Sequence, residues 1–318
     1  MVLDQLDNNM INLPLVERYR PTNLNDLVLD DETRAYFQKI KKTDDLPHLL
    51  FIGPPGTGKT SLAKVLVNQL GAAYRYINAS DERGIDTIRE KVAGFALTKS
   101  MMGEVKIIIL DESDGLTGDA QRSLRNLMEE HVENVRFILT ANYRNRVSEP
   151  ITSRTQVFEL VPPLDDCFNR VVSVLKQECI KVPAGQRDLL KDLIKRGYPD
   201  MRRILNDIER FTDEGELNIT RYVESLAFPT KVFDMIENNV SANNIRKFVI
   251  ENEVEFGSDY HSLLKGLFEH IFTAVQDESK RRNCMLIVGK YMEAHQHVMD
   301  FEINAFCCVI QLLEAVNA

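Results

Sequence analysis

Apolar residues in the first half of the chain form short runs that alternate with amphipathic stretches. These runs occupy residues 49–52, 74–77, 105–110, 135–140 and 156–160. We predict that each run is a β-strand. The run at 105–110 is almost continuously apolar, which is typical of a parallel strand with helices on both faces of its sheet. Leu62, Leu66 and Leu70 follow the first run at helical spacing. The pattern therefore predicts an α/β domain with a five-stranded parallel sheet.

Beyond residue 160 the strand pattern gives way to helical spacing. Pro162 and Pro163 mark this change, and we expect a linker at residues 227–230, which include a proline. Helical patterns alone continue to the end of the sequence. We therefore predict three domains. They are an α/β domain at 1–160, a small helical domain at 161–228 and an all-helical domain at 229–318.

The segment after the first predicted strand reads Gly-Pro-Pro-Gly-Thr-Gly-Lys-Thr. It matches the phosphate-loop pattern G-x-x-x-x-G-K-[ST] in the strand–loop–helix context that the pattern requires. Glycines allow backbone N–H groups to face a phosphate, Lys59 reaches the outer phosphates, and the Thr60 hydroxyl binds Mg²⁺. We therefore predict that ATP or GTP binds here with Mg²⁺. The predicted nucleotide-binding residues of this segment are Gly53, Pro54, Pro55, Gly56, Thr57, Gly58, Lys59, Thr60 and Ser61.

Two carboxylates, Asp111 and Glu112, follow the most apolar predicted strand. They should lie at the carboxyl edge of the sheet, where open α/β sheets bind their ligands. We predict that Asp111 binds Mg²⁺ together with Thr60, and that Glu112 orients and polarises the attacking water. Asn142 follows the next strand, where an amide can contact both the γ-phosphate and this water. Read singly, these residues are also compatible with solvated turns.

Composition and charge narrow the possible classes of protein. Apolar residues make up 44% and charged residues 27%, as in ordinary soluble globular proteins, and no apolar run is long enough for a membrane span. The first nine residues do not resemble a secretory signal. Five cysteines without a C-x-x-C pair indicate neither a disulfide framework nor a zinc ribbon. A net charge of −9 excludes a uniformly basic nucleic-acid-binding surface, but it allows a local basic stripe.

Several motifs resemble those of the AAA+ sliding-clamp loader ATPases. They are Asp-Glu-Ser-Asp at 111–114, Thr-Ala-Asn at 140–142, Ser-Arg-Thr at 153–155, Glu-Arg-Tyr-Arg-Pro at 17–21, Asn-Ala-Ser-Asp-Glu-Arg-Gly-Ile-Asp at 78–86 and Pro-Asp-Met-Arg-Arg at 199–203. The resemblance spans residues 14 to about 212. It is closest to the small subunits of replication factor C and to the loader ATPase of T-even-like bacteriophages. The short chain, residues 95–99 and the helix of Gln121 favour the bacteriophage version.

This resemblance implies roles for residues that the pattern alone leaves open. Tyr19 and Arg20 would contact the nucleotide base, and Arg202 would act as the second sensor, closing onto the γ-phosphate from the helical lid domain. Arg154 would enter the ATP site of a neighbouring subunit as an arginine finger, although Thr155 stands where the family usually has cysteine. The implied catalytic residues are Glu112, Lys59, Asn142, Arg154 and Arg202.

The resemblance also implies partners. They are a sliding clamp, primer–template DNA and other loader subunits, with several copies plus a distinct small subunit in a pentamer joined through the C-terminal collar domain. Arg83, Lys99 and Arg122 would contact DNA phosphates, and Met101 with Met102 is a candidate clamp contact. We expect no membrane association and a cytoplasmic location, in the host cytoplasm for a phage protein or the nucleus for a eukaryotic one.

Other classes share parts of this chemistry. A protein-remodelling or branch-migration AAA+ motor uses the same ATP site, but we find no aromatic-Val-Gly pore loop. A small-molecule kinase would work as a monomer and would not need Arg154. A scaffold without activity is disfavoured because the catalytic set is complete. We therefore expect an ATPase that is weak alone and strongly stimulated by primed DNA with a clamp.

Overall fold

The computed structural model describes residues 13–81, 84–98, 105–256, 259–295 and 298–317. The chain separates into two compact units, Met1–Leu217 and Asn218–Ala318. The first unit contains the five-stranded sheet, and all secondary-structure elements among the described residues of the second are helices. The predicted boundary at residue 160 lies inside the first unit and stays a prediction.

Strands and helices alternate through most of the first unit. In chain order its elements are α1 (Leu15–Arg18), α2 (Asp31–Lys39), β1 (Leu49–Ile52), α3 (Lys59–Gln69), β2 (Tyr74–Asn78), α4 (Ile85–Leu97), β3 (Lys106–Asp111), α5 (Gly118–Glu130), β4 (Val135–Ala141), α6 (Glu149–Thr152), β5 (Gln156–Glu159), α7 (Leu164–Gln177), α8 (Arg187–Gly197), α9 (Met201–Arg210), β6 (Thr212–Asp213) and β7 (Glu216–Leu217). All five strands predicted from the apolar runs are present.

The five long strands form one parallel sheet in the order β2-β3-β4-β1-β5. The strand β4 lies between β1 and β3, so the loops that follow these three strands are neighbours at the carboxyl edge of the sheet. The crevice of an open α/β sheet forms at such an edge. The predicted phosphate loop, carboxylates and Asn142 are therefore brought together by strand order.

The strand β3 lies between β2 and β4, and its packing explains why its sequence is almost continuously apolar. Ile107 and Ile109 belong to a core with α2 and α3 residues, whereas Ile108 and Leu110 belong to a second core with α4 and α5 residues. Successive side chains of a strand point to opposite faces, so both faces are covered. The fold class is confirmed as an α/β phosphate-loop domain followed by helices.

One short hairpin within the first unit was not predicted. The strands β6 and β7 pair antiparallel across Glu214 and Gly215, whose φ angles are 49° and 79°. Two central residues with positive φ are the mark of a two-residue hairpin turn matched to strand twist. Glu-Gly was the available signal, but each strand is only two residues long.

The second unit has its own apolar core. Its helices are α10 (Ile219–Glu237), α11 (Ala242–Glu251), α12 (Glu253–Phe256), α13 (Tyr260–Ala274), α14 (Glu278–Ala294) and α15 (Phe301–Asn317). Phe228 of α10 stacks on Phe248 and Phe256, with ring centroids 5.4 and 4.8 Å away. The linker predicted at residues 227–230 was wrong, because this segment lies inside α10. Within the described ranges, each helix is too short or too polar to cross a membrane.

Candidate functional site

The phosphate loop connects the buried strand β1 to the first turn of α3. Gly56 and Gly58 have φ angles of 72° and 91°, a left-handed conformation that favours glycine. Gly53 is constrained differently, because a side chain there would lie 2.4 Å from the carbonyl oxygen of Leu160. The sequence pattern of the loop thus reflects its backbone shape as well as its chemistry.

Lys59 begins α3 and is 7% exposed. Its ammonium group donates hydrogen bonds to the carbonyl oxygens of Gly53 and Pro54, at 2.8 and 2.7 Å. Burial lowers the pKa of Lys59 to about 8, and the Asp111 and Asp114 carboxylates oppose this shift. Because a bound phosphate is an anion, its arrival would favour the charged ammonium group.

Asp111 ends β3 and is 7% exposed. Its carboxylate accepts hydrogen bonds from three hydroxyl groups, those of Thr60 at 2.8 Å, Tyr76 at 2.6 Å and Thr140 at 2.5 Å. The sequence predicted the pairing with Thr60 but neither of the other two. The strand register shows why Tyr76 is close, because Asn78, two residues later and on the same face of β2, pairs with Asp111 across the sheet.

Glu112 follows in a left-handed conformation, with φ of 54°. Its backbone N–H donates to the Thr140 hydroxyl at 3.0 Å, while its side chain is exposed and lines the cavity above the sheet. A non-glycine residue with positive φ is uncommon, and such strained positions concentrate at functional sites. The Glu112 side chain is therefore exposed in the cavity, whereas the Asp111 side chain is buried.

Asn142 lies just beyond β4, in the loop next to the phosphate loop. The Asp114 carboxylate accepts hydrogen bonds from the backbone N–H groups of Asn142 and Tyr143, both at 3.1 Å. Asn142 also lines the cavity. Asp114 is thus a residue of the site whose role the sequence did not reveal, although it belongs to the Asp-Glu-Ser-Asp motif.

The helix α9 approaches the phosphate loop from the helical part of the first unit. The Met201 N–H donates to the carbonyl oxygen of Gly56 at 3.2 Å, and the Asp200 side chain caps α9 through the Arg203 N–H at 3.0 Å. Arg202 lines the cavity, whereas the Arg203 side chain lies 3.9 Å from Asp207. Two adjacent arginines therefore point in different directions, as the ~100° rotation per helical residue requires.

Tyr19 and Arg20 line the same cavity. The Tyr19 hydroxyl donates to Glu178 at 2.7 Å, and Arg18 donates to both oxygens of the same carboxylate. Burial, with a further contribution from Glu178, raises the pKa of Tyr19 to about 12. Arg170 also contacts the Tyr19 carbonyl oxygen at 3.3 Å. Glu178 and Arg170 lie about 150 residues away in sequence and gave no signal.

These groups surround one cavity of about 260 Å³. The predicted residues that line it are Tyr19, Arg20, Pro55, Gly56, Thr57, Gly58, Lys59, Thr60, Ser61, Asp111, Glu112, Asn142 and Arg202. Gly53 and Pro54 instead contribute the carbonyl oxygens that hold Lys59. The fold therefore brings together, at one cavity, the residues that were predicted to act on the nucleotide of their own chain.

Arg154 is not among the described residues that line this cavity. Its guanidinium pairs with Glu129 and donates to the Pro150 carbonyl oxygen at 2.8 Å. The side chain of Arg154 remains 34% exposed. Gln121 is buried on α5. Its side-chain amide donates to the Arg146 carbonyl oxygen and accepts from the Ser148 N–H, both at 2.8 Å, and so holds the loop before α6.

The predicted DNA contacts are only partly within the described residues. Arg83 and Lys99 lie outside them, as do Met101 and Met102, which were predicted to contact the clamp. Arg122 is exposed on α5 and pairs with Asp119 one helical turn away. Its position is compatible with a contact to DNA and equally with an ordinary surface ion pair.

Comparison with known proteins agrees with this site. The profile of the ATPase family associated with various cellular activities (AAA) matches residues 49–163. The replication factor C small subunit of Staphylothermus marinus is 36% identical over 278 residues, covering 83% of this chain and 84% of the relative. That of Thermofilum pendens is 40% identical over 72% of each chain. These relatives are archaeal, so they give no support to the predicted bacteriophage origin.

Among solved structures, the Thermotoga maritima RuvB Holliday junction branch migration motor is similar, with a TM-score of 0.50 and 16% identity. The match covers 73% of this chain and 85% of that one. Identity this low shows a shared fold alone. The sequence relatives are far closer and cover most of both chains. This chain therefore belongs to the replication factor C small subunit family, and it is a nucleotide-binding AAA+ ATPase of the clamp-loader type that acts in DNA replication.

Proposed function

We propose that this chain binds ATP in the 260 Å³ cavity and hydrolyses it as one subunit of a ring or spiral that loads a sliding clamp onto primer–template DNA. The observation that carries the proposal is the convergence of three strand ends and one helix on that cavity. Lys59, Thr60 and the loop backbone hold the phosphates, while Tyr19 and Arg20 contact the base. Arg202 reaches the γ-phosphate from α9.

The oxygen ligands near the phosphate loop fit Mg²⁺. The Thr60 hydroxyl lies 2.8 Å from the Asp111 carboxylate, and this combination of hydroxyl and carboxylate suits a hard cation that shares its coordination with phosphate oxygens and water. A bound Mg²⁺ would neutralise the charge that develops on the transferring phosphoryl group. We assign Thr60 and Asp111 as its protein ligands.

Glu112 is assigned as the residue that orients and polarises water. Its side chain is exposed in the crevice, whereas the Asp111 carboxylate is buried among hydroxyl groups, so the two acids have different tasks. Asn142 is assigned as the residue that reports the γ-phosphate, because its backbone is fixed by Asp114 while the residue lines the cavity. In these assignments Lys59, Thr60 and Asp111 bind ATP with Mg²⁺, whereas Glu112 and Asn142 act in its hydrolysis.

Arg154 is assigned as the finger that completes a neighbouring subunit's site. Arg154 is not one of the described residues that line the cavity of its own chain, and its guanidinium is partly exposed. Its partner Glu129 is 53% exposed, and an exposed ion pair contributes little to stability. Arg154 can therefore leave Glu129 and bind a phosphate group at a small cost in free energy. We further propose a pentamer with a distinct subunit, in which the helical part of the first unit forms the lid and the second unit, Asn218–Ala318, forms the collar.

The test of the proposed function is the ATP turnover of the chain alone, with primer–template DNA, and with DNA and the cognate clamp. We expect weak turnover alone and strong stimulation by the two together. A four-way DNA junction serves as the comparison substrate. Equal turnover in all samples, or stimulation by the junction rather than the primed DNA, would contradict the clamp-loading proposal. The mass of the complex formed with a nonhydrolysable ATP analogue tests the pentamer.

Replacing Gly56 with alanine is expected to weaken ATP binding. A methyl group there would lie 1.6 Å from the Asp200 carboxylate, and the φ of 72° already disfavours alanine. Displacing Asp200 removes the cap of α9 and disturbs the Met201–Gly56 hydrogen bond. We expect about tenfold weaker binding of a fluorescent ATP analogue, equivalent to about 1.4 kcal/mol or one hydrogen bond.

Gly71→Ala is the matched control for this variant. Gly71 also has a left-handed φ, of 61°, but no atom lies within 4 Å of the added methyl group. It therefore measures the backbone cost alone, about 1–2 kcal/mol. Gly56→Ala should unfold at lower urea concentration than Gly71→Ala, because the helix cap adds about 1 kcal/mol. Equal stability and equal ATP affinity of the two variants would show that Asp200 does not press on the loop.

A further inference from the structure

The aromatic residue Tyr76 contacts the predicted metal ligand. It lies on β2, two residues before Asn78, whose Cα pairs with that of Asp111 in the sheet. The Tyr76 hydroxyl donates to Asp111 Oδ2 at 2.6 Å, and the ring lines the cavity. Lys64 of α3 lies over the ring, with its ammonium nitrogen 4.8 Å from the centroid. The side chain is therefore held from two elements beside the phosphate loop.

We infer that Tyr76 is a positioning residue for Asp111, which it holds in the orientation that binds Mg²⁺. The inference rests on the proposed metal site. Its basis is the distribution of hydrogen bonds on the carboxylate. Thr60 donates to both oxygens, at 2.8 and 3.0 Å, while Thr140 donates to Oδ1 and Tyr76 to Oδ2. When the Thr60 hydroxyl serves as a metal ligand, Thr140 and Tyr76 are left to fix one oxygen each.

Two donors on opposite oxygens prevent rotation of a carboxylate, whereas one donor leaves it free to turn. Hydrogen bonds of this kind around metal ligands set their orientation. Thr140 is 1% exposed on β4 and forms part of the sheet core. Tyr76, at 38% exposed, is the donor on the accessible side.

The test is Tyr76→Phe, which removes the hydroxyl and keeps the ring. Binding of a fluorescent ATP analogue is measured in EDTA and across a Mg²⁺ titration. We expect unchanged affinity in EDTA, because Tyr76 does not hold the phosphates. The Mg²⁺ concentration that half-restores tight binding should rise by roughly 10- to 100-fold, the usual effect of losing such a partner.

Tyr74→Phe is the matched control, because Tyr74 lies on the same face of β2 and is 43% exposed. It is not among the described residues that line the cavity, so its Mg²⁺ titration should follow the unmodified chain. A Tyr76→Phe midpoint that is unchanged or lower would overturn the inference, and a lower midpoint would mean that the phenol competes with the cation. If the unmodified chain shows no Mg²⁺ dependence, the proposed metal site itself fails.

Discussion

Arg154→Ala is expected to lower ATP hydrolysis by the assembled complex by on the order of 10³ to 10⁵. A guanidinium that enters from a neighbouring subunit stabilises charge on the transferring phosphoryl group and has little effect on ATP binding. In the isolated chain Arg154 pairs with Glu129 and lies outside the described lining of the cavity. Its loss should therefore leave the ATP affinity of the isolated chain unchanged. Single-turnover hydrolysis in the complex measures the effect.

Arg144→Ala provides the control for loss of a surface arginine. Arg144 also pairs with one carboxylate, that of Glu159 at 2.7 Å, and is more exposed than Arg154. Complexes with Arg144→Ala should hydrolyse ATP at the normal rate. Loss of ATP affinity in isolated Arg154→Ala chains would contradict the assignment, because it would place the guanidinium in the chain's own site.

Mixing two inactive variants tests whether the site is shared. Subunits with Arg154→Ala keep Glu112, and subunits with Glu112→Gln keep Arg154. An Arg154→Ala subunit beside a Glu112→Gln subunit therefore forms one complete site. We expect partial recovery of hydrolysis in mixed complexes, although each variant alone is inactive. Failure to recover in complexes of normal mass would mean that both residues act within one chain.

The sequence predicted those parts of the fold and site whose cause is local. The strands were visible because both faces of the sheet are buried, which makes a run such as residues 105–110 apolar throughout. The phosphate loop was visible because its glycines and Lys59 are adjacent in sequence. Strand order then placed Asp111 and Asn142 beside the loop, as general rules for parallel sheets predict.

Parts of the site that depend on distant residues were not predictable. Glu178 holds Arg18 and Tyr19 from about 160 residues away, and a glutamate at the end of an amphipathic helix has no distinguishing pattern. Tyr76 resembled any strand tyrosine until the register placed its hydroxyl beside Asp111. Such contacts require the fold to be known first.

The wrong linker prediction has a physical cause. Pro229 usually ends a helix because it lacks an N–H group and its ring crowds the preceding turn. Here the ring packs against Gly266 of α13, where a side chain would lie 2.4 Å from it. The buried residues Phe228, Val232 and Ile236 recur at helical spacing across the proline. That periodicity was the better signal, because burial of one helix face outweighs a single unfavourable residue.

Glu112→Gln is expected to reduce ATP hydrolysis by on the order of 10² to 10⁴ while ATP binding is retained. Glutamine keeps the size of the side chain but cannot polarise water as a carboxylate does. The Glu112 N–H bond to Thr140 involves backbone and should survive the change. ATP-analogue affinity and single-turnover hydrolysis, measured on the same complex, separate the two effects. Glu159→Gln, an equivalent change outside the described cavity lining, should have no effect.

The ATP affinity and the ATP hydrolysis rate of Glu112→Gln together distinguish the role of Glu112 from that of Asp111. If Glu112 were a metal ligand, its loss would weaken Mg²⁺-dependent ATP binding, as we expect for Asp111→Asn. If Glu112 activates water, complexes with the variant should bind ATP, capture the clamp and accumulate without releasing it. A variant with normal turnover would contradict the assignment, since the exposed carboxylate would then have no part in the chemistry. Retained assembly with blocked release would show that hydrolysis acts after clamp binding.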